Sequence, residues 1–180
     1  MEIALVLLIP LSVWAVVIYN NLVRDRNRVL QAWSDIDVQL KRRHDLIPKL
    51  VTAVNAYARY EKTTLEEITE LRHRADNRQQ PAEKAGAERD LGGRLRQLVA
   101  VAEAYPELKA SDQYLDLLQQ LSDVENHIQY ARRYYNGSVR NLNVRIDSFP
   151  DLLVARLFRF RAAEFFELES ALETDPPEIR

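Results

Sequence analysis

Residues 29–54 read VLQAWSDIDVQLKRRHDLIPKLVTAV, and this stretch decides the fold class. Its apolar side chains recur with a spacing of three and four residues, at Val29, Trp33, Ile36, Leu40, Ile47, Val51 and Val54. The pattern continues beyond this stretch at Leu65 and Ile68. That spacing is typical of an α-helix with one buried face. We expect either one long helix that ends near Asp76 or two collinear helices. Pro48 lacks a backbone donor and clashes with the carbonyl of His44, which predicts a kink.

Three further helices are expected downstream. A turn over residues 77–83 precedes the second helix, which begins at Pro81, a residue favoured at the first helical position, and stops before Pro106. Ser111 is a good N-cap for a third helix that ends near Pro150. A short fourth helix would then carry the last apolar residues, at Leu152, Leu153, Leu157, Phe158, Phe165 and Phe166.

Long helices joined by short turns predict an all-α fold, an antiparallel bundle of four helices with near-parallel packing. The 4 Gly and 7 Pro suit helices better than strands joined by tight turns. Arg43 stands where the pattern expects an apolar residue. If it is buried, it needs a carboxylate partner on another helix, such as Glu125.

An uncharged, mostly aliphatic run extends from Ile3 to Tyr19. At 1.5 Å per residue it reaches about 25 Å, close to the roughly 30 Å of a hydrocarbon core. We expect one membrane-spanning helix that continues into the bundle, with the representative residues Ile3, Val6, Leu8, Pro10, Trp14, Val17 and Tyr19. A cleaved signal peptide and a fully enclosed core helix are the alternatives, although the basic start and the small-x-small site of a signal peptide are missing.

The charges that flank this run predict its orientation. Three arginines follow it, namely Arg24, Arg26 and Arg28. Glu2 is the charged side chain on the other side, so the positive-inside rule places the N-terminus outside and the bulk of the chain in the cytoplasm. We therefore divide the chain into an anchor (1–23), a cytoplasmic helical bundle (24–170) and a disordered tail (171–180).

Composition and motifs argue against several classes of function. A net charge of −2 disfavours a non-specific nucleic-acid binder, and the chain has no Cys for a disulfide or a thiolate site. His44, His73 and His127 stand apart from metal and nucleophile motifs, and we expect them to be solvated or helix-capping. The sequence predicts no catalytic residue, no cofactor and no metal, and hence no enzyme.

A polar cluster lies just before Pro48, at Asp35, Asp37, Lys41, Arg42, Arg43, His44 and Asp45. Asp37 and Lys41 form an i,i+4 pair that contributes only about 0.3 kcal/mol, so the simpler interpretation is a solvated helix face. The alternative is a surface that holds the acidic groups of a protein partner. Its candidate residues are Asp37, Lys41, Arg42, Arg43 and Asp45.

The fourth helix mixes arginines with aromatic residues, in the order Arg156, Leu157, Phe158, Arg159, Phe160 and Arg161. Such a mixture can lie at an anionic membrane surface. Packing across the end of the bundle explains the same residues with fewer assumptions.

Several motifs in order along the chain resemble the bacterial LemA family. They are Tyr19-Asn20-Asn21-Leu22-Val23, Arg26-Asn27, Ala32-Trp33-Ser34, the stretch from Ile36 to Pro48, Ala104-Tyr105-Pro106, Leu108-Lys109, Ala131-Arg132-Arg133, Tyr135-Asn136, Ser148-Phe149-Pro150 and Phe166-Glu167. The resemblance implies a single-pass protein of the bacterial inner membrane, with its N-terminus outside and a cytoplasmic helical bundle. It implies no established enzymatic activity. The family's association with membrane proteases and envelope stress favours a scaffold or adaptor for a protein partner such as a membrane protease, and a homo-oligomer stays open.

The sequence departs from the family pattern at two positions. Lys49 follows Pro48 where the family usually has Asn, and Gly137 costs a helix about 1 kcal/mol relative to Ala, which predicts local loosening.

The alternative function is an enzyme or a regulator of proteolysis. Its pocket would be formed by Arg132, Arg133, Tyr135 and Asn136.

Overall fold

The computed structural model describes residues 2–57, 62–78, 80–102 and 104–166, except for the side chains of residues 2–8 and 62. All the regular elements in these residues are helices, which confirms the all-α prediction. They are α1 (Glu2–Tyr57), α2 (Lys62–Asp76), α3 (Pro81–Ala102), α4 (Pro106–Lys109), α5 (Asp112–Asp147) and α6 (Asp151–Leu157). The predicted disordered tail, 171–180, lies outside the described residues.

The chain divides into two compact units. Unit 1 comprises Met1–Gln39 and Ile128–Glu164, and unit 2 comprises Leu40–His127 and Phe165–Arg180. Each unit therefore contains part of α1 and part of α5. We describe the two units separately.

In unit 1 the α1 and α5 segments run antiparallel. Asp25 on α1 pairs with Arg145 on α5, and Trp33, further along α1, contacts Tyr135, which comes earlier on α5. As the residue number rises on one helix, it falls on the other. Between them the predicted apolar positions Val29 and Ile36 are buried, whereas the predicted position Trp33 is half-buried. The other buried apolar residues here are Ile18, Leu22, Ala32, Ile128, Tyr135, Val139, Leu142 and Ile146.

Helix α6 ends in a Schellman motif, in which two backbone N–H groups beyond the helix cap its last carbonyls. Phe160 N donates to Ala155 O at 2.9 Å, and Arg159 N donates to Arg156 O at 3.2 Å. Arg159 occupies the left-handed position with φ 57°, where glycine is usual and an L-residue costs about 1–2 kcal/mol. The fourth helix therefore stops at Leu157, and the prediction that its helical pattern extends to Phe166 is wrong.

In unit 2 helix α2 folds back along α1. His44 Nδ1 lies 3.7 Å from Asp76 Oδ1, whereas a straight helix would separate these residues by about 48 Å. Val51 and Leu65 line the same depression between α1 and α2. The expectation of one helix to Asp76, or of two collinear helices, is therefore wrong. Leu65 and Ile68 are nevertheless buried, because both helices keep their apolar faces inward.

The remaining helix starts of unit 2 follow the sequence signals. Pro81 is the first residue of α3, and Ser111 caps α5 by accepting a long hydrogen bond from Tyr114 N at 3.5 Å. Helix α4, with Leu108 buried, was not predicted, because a single turn is too short to show a period. Helix α1 itself continues without a break through Pro48, so that residue does not end it; a kink there stays a prediction.

All four glycines of the chain lie inside helices: Gly86, Gly92 and Gly93 in α3 and Gly137 in α5. A Cβ added at Gly86, Gly93 or Gly137 would meet nothing within 4 Å. At Gly92 it would lie 3.6 Å from Arg43 Nη1, an ordinary van der Waals distance. None of these positions requires glycine for space.

Across the described residues, no helix combines the length and the apolar character needed to cross a membrane. The predicted span from Ile3 to Tyr19 is not supported by this finding. Its first six residues, 3–8, are among those whose side chains are not described.

Candidate functional site

The most unusual polar feature of the structure is an arginine in the core of unit 2. Arg43 is only 3% exposed. Its Nη1 donates to Glu125 Oε1 at 2.9 Å, and its Nη2 donates both to the carboxylate of Glu88 and, at 3.1 Å, to the carbonyl of Glu88. The predicted pairing of Arg43 with Glu125 is confirmed. The guanidinium therefore joins α1, α3 and α5.

Glu88 is the second buried charge, 4% exposed, and it also faces His44. His44 Nε2 lies 2.9 Å from Glu88 Oε1. His44 is itself buried, so the expectation of a solvated histidine is wrong for this residue, whereas His73 and His127 are exposed as expected. We call Arg43, His44, Glu88 and Glu125 the buried charge cluster.

Within the buried charge cluster, the charged forms of Arg43 and Glu88 are stabilised. Burial raises the pKa of Glu88, but the contact with His44 and the charge of Arg43 lower it by more, so the net pKa lies below its ordinary value. Burial lowers the pKa of Arg43, and the charges of Glu125 and Glu88 more than offset this, so the net pKa is raised. The ion pairs persist at neutral pH.

The contacts of the buried charge cluster link helices of unit 2 to one another. Both Nη atoms of Arg43 bind protein carboxylates inside the core of unit 2. Among the described residues, no group of three or more His, Asp and Glu side chains is arranged to hold a metal ion. The cluster therefore connects α1, α3 and α5.

Glu88 was missed by the sequence analysis, although a signal for it exists. The buried residues of α3 follow helical spacing, at Ala85, Glu88, Leu91, Leu95, Leu98 and Ala102. Glu88 thus stands at an apolar position, and the argument applied to Arg43 on α1 holds for it too. Two opposite charges at apolar positions would have made Glu88 a candidate partner for Arg43.

The predicted partner surface divides between buried and exposed residues. Lys41, Arg42 and Asp45 are exposed in unit 2, and Asp37 is exposed in unit 1. Arg43 is buried in the charge cluster, so its assignment to a partner surface is wrong: its guanidinium is already paired inside unit 2. The predicted surface in unit 2 is therefore reduced to two exposed basic residues, Lys41 and Arg42, and one exposed acidic residue, Asp45.

The four residues of the rival pocket do not share one environment in unit 1. Tyr135 is buried, where its ring contacts Trp33 at 5.5 Å and its hydroxyl donates to Glu164 O at 2.8 Å. Burial also raises the pKa of Tyr135. Arg133 is exposed, and Arg132 and Asn136 are half-buried. None of the four lines any of three depressions in the described surface, which lie between α1 and α2, between α2 and α3, and beside Asp25 and Arg145.

The largest of these depressions, about 740 Å³, lies between α2 and α3. It is lined mainly by charged side chains of both signs, at Glu67, Glu70, Arg74, Arg89, Asp90, Arg94 and Arg96. Arg94 Nη2 lies 3.2 Å from Glu67 Oε2, and Arg94 Nη1 donates to Gln97 at 2.8 Å. This is a groove of surface ion pairs.

In unit 1 the N-terminal part of α1 exposes apolar side chains. From Ile9 to Val17 the exposed ones are Ile9, Leu11, Val13, Trp14, Val16 and Val17. Burial in protein begins at Ile18 and is complete at Leu22. The three arginines that follow this segment, Arg24, Arg26 and Arg28, are exposed. Arg28 Nη1 donates a hydrogen bond to Asp25 Oδ1 at 3.3 Å.

Comparison with known proteins identifies the family of this chain. The sequence model of the LemA family matches residues 32–180. The chain belongs to the LemA family. The match begins at the Ala32-Trp33-Ser34 motif and includes the whole buried charge cluster, so the cluster lies within the family domain. The apolar segment of α1 precedes the matched residues.

Two kinds of relative resemble this LemA-family chain. Protein LemA of Metamycoplasma hominis is 30% identical over 168 residues, which cover 89% of this chain and 75% of that protein. Magnetosome protein MamQ of Magnetospirillum gryphiswaldense and Magnetosome protein MamQ 1 of Paramagnetospirillum magneticum are each 32% identical over 89 residues. That similarity covers 49% of this chain and only 33% of the magnetosome proteins.

Proposed function

We propose that this LemA-family protein is a non-enzymatic scaffold, anchored in the bacterial inner membrane by α1, that presents its helical domain to partner proteins in the cytoplasm. A role in envelope stress or membrane proteolysis, with a membrane protease as the partner, belongs to this proposal.

The observation that carries the proposal is the exposed apolar segment of α1. At 100° per residue, Ile9, Leu11, Val13 and Val16 point to several sides of the helix. Each large apolar side chain left in water forgoes about 1.5–3 kcal/mol of burial free energy. A lipid environment covers all these sides at once. Together with residues 3–8, the segment has the length proposed for a single span.

The arginines after the apolar segment support the proposed orientation. Arg24, Arg26 and Arg28 are exposed on the side of α1 that leads into the helical domain. The positive-inside rule favours the cytoplasm for such a flank.

The exposed cluster Lys41, Arg42 and Asp45 supports the proposed partner surface. Long basic side chains on a helix can bind the carboxylates of a partner protein, and arginine can do so with two hydrogen bonds. The burial of Arg43 beneath this surface fixes the backbone from which the exposed side chains extend.

Cysteine accessibility tests the anchor and its orientation. The chain has no Cys, so Glu2→Cys and Arg42→Cys each introduce a unique thiol. In intact spheroplasts we expect a membrane-impermeant maleimide to label position 2 and to spare position 42 until the membrane is permeabilised. Labelling of both positions in intact cells, or release of the protein by alkaline carbonate, would contradict the proposal.

Site-specific photocrosslinking tests the partner surface. A photoreactive residue at position 42 or 45 should yield a discrete crosslinked band, whereas the same residue at the exposed position Gln119 should not. Monomer bands alone at all three positions would argue against the scaffold. Mass spectrometry of the band then identifies the partner.

A further inference from the structure

We propose that residues 156–161, at the end of α6 and just after it, bind anionic phospholipid headgroups at the surface from which α1 emerges. This inference rests on the membrane anchor proposed above and assigns a second, lipid-facing element. We call residues 156–161 the arginine segment.

Its position in unit 1 is the first argument. The Tyr19 ring lies 4.7 Å from the Phe158 ring and 5.8 Å from the Phe160 ring, measured between centroids. Tyr19 ends the apolar segment, and tyrosine favours the level of lipid headgroups. If residues 3–19 span the bilayer, these contacts hold the arginine segment at the membrane surface.

The exposed side chains are the second argument. Leu157 is 76% exposed and Leu153 56%, and Phe158 is also exposed. Since α6 buries only Val154 and Ala155, its other side, with Leu153, Arg156 and Leu157, is uncovered. Packing across the end of the bundle, the simpler interpretation of the sequence, leaves these side chains in water.

Charge complementarity identifies the occupant. Arg156, Arg159 and Arg161 are all exposed, and within the described part of the chain none of them forms an ion pair with a carboxylate. The acidic residue nearest in sequence before them, Asp151, is already paired with Arg145 at 3.2 Å. Apolar side chains next to exposed arginines match a surface of acyl chains beneath anionic phosphates.

The backbone of Arg159 is the fourth argument. It holds the left-handed position of the Schellman motif, with φ 57°, where glycine would be less strained. An arginine at this position makes the fold less stable than a glycine would, and it places a charge between Phe158 and Phe160. Backbone strain of this kind is concentrated at functional sites.

The test uses the full chain reconstituted into vesicles, with an environment-sensitive fluorophore on a single introduced cysteine. Trp14→Cys reports on the anchor, and Leu157→Cys reports on the arginine segment. The vesicles contain phosphatidylcholine alone or mixed with increasing phosphatidylglycerol, and lipids with a quencher near the headgroup report contact.

We expect position 14 to be lipid-exposed in both kinds of vesicle and position 157 to shift its emission to the blue as phosphatidylglycerol increases. In R156Q/R159Q/R161Q the phosphatidylglycerol fraction for half of the shift should rise about five-fold or more. The variant R96Q/K109Q/R140Q removes the same charge from exposed positions elsewhere and should behave as the unmodified chain.

Arg159→Gly separates lipid binding from a purely structural role. It relieves the backbone strain, so the thermal midpoint should stay constant or rise while the lipid response at position 157 weakens. An unchanged lipid response in this variant and in the triple variant would overturn the proposal.

Two further results would overturn it in distinguishable ways. If position 14 reports lipid while position 157 reports water in every vesicle, the arginine segment fails and the anchor stands. If position 14 also reports water, the anchor fails and the arginine segment fails with it.

Discussion

Unit 1 and unit 2 each hold an arginine–carboxylate pair between α1 and α5, but they bury opposite partners. In unit 1 the buried member is Asp25, whose side chain is 6% exposed, and Arg145 remains 35% exposed. In unit 2 the buried member is Arg43, at 4%, and Glu125 remains 43% exposed. Unit 2 adds a second, fully buried carboxylate, Glu88, and the described residues of unit 1 add none of comparable burial.

A buried carboxylate and a buried guanidinium need different compensation from their partners. The carboxylate of Asp25 is satisfied by Arg145 at 2.7 Å and Arg28 at 3.3 Å, and both arginines reach water. A guanidinium cannot lose its proton to escape burial, so Arg43 needs full compensation inside the core. Losing a partner should therefore cost unit 2 more than unit 1.

Removal of Glu88 should give the largest effect. Glu88→Ala leaves Arg43 buried with one half-exposed partner, and we expect the free energy of unfolding to fall by about 3–5 kcal/mol. Urea unfolding of the detergent-solubilised chain, followed by circular dichroism, measures this. Asp90→Ala, an exposed change in the same helix, should cost no more than about 0.5 kcal/mol. Equal losses in the two variants would mean that the cluster contributes nothing specific.

Replacing both Arg43 and Glu88 tests whether the charges themselves stabilise unit 2. Arg43→Met combined with Glu88→Leu removes both buried charges, and we expect it to recover most of the stability that Glu88→Ala loses, because desolvation offsets much of a buried ion pair. A double variant as unstable as the single one would show that the charges themselves stabilise unit 2.

Removal of the buried charge in unit 1 should have a smaller effect. Asp25→Asn leaves Arg145 and Arg28 free to turn towards water, so we expect a loss of about 2 kcal/mol in the same urea experiment. Asp35→Asn, an exposed change on α1, is the matched control and should be neutral. If Asp25→Asn cost as much as Glu88→Ala, the contrast between the units would be wrong.

Acid should affect unit 2 through Glu88. Its pKa in the folded chain is lower than in the unfolded chain, so the unfolded state binds the proton first as the pH falls. The stabilisation is complete above the ordinary pKa of 4.5 and is lost as the pH falls from there through the folded-state pKa. Stability measured against pH should therefore fall more steeply in the unmodified chain than in Glu88→Gln. Parallel curves would contradict the assignment.

Glu125→Gln should show the smallest effect. The Glu125 side chain is 43% exposed, so solvent screens its attraction to Arg43, and about 1 kcal/mol or less is expected. A loss as large as that of Glu88→Ala would show that the two carboxylates are equivalent in spite of their burial.

Much of this contrast could be predicted from the sequence. The heptad spacing places Arg43 at an apolar position, and the requirement for a carboxylate led correctly to Glu125. Glu88 was missed because α3 has the weaker apolar period, interrupted by Gly92 and Gly93. Contacts between helices depend on which faces meet, and spacing within one helix does not contain that information.

The other differences have local causes. The return of α2 along α1 was missed because residues 58–61, Ala-Arg-Tyr-Glu, contain no Gly or Pro and the apolar spacing resumes at Leu65. The end of α6 was missed because an arginine, not a glycine, takes the left-handed position. In both cases the sequence lacks the Gly or Pro usually associated with the end of a helix.

The helical glycines have a practical consequence for anyone who prepares this protein. Since three of them face empty space and Gly92 would bring a methyl group only into ordinary contact, alanine fits at every one of the four positions. Each exchange should raise stability by about 0.5–1 kcal/mol, through a more restricted unfolded chain and a better helix former. A quadruple alanine variant would be a sturdier starting material for crystallisation, and it would leave intact every charged and aromatic side chain on which the proposals above depend.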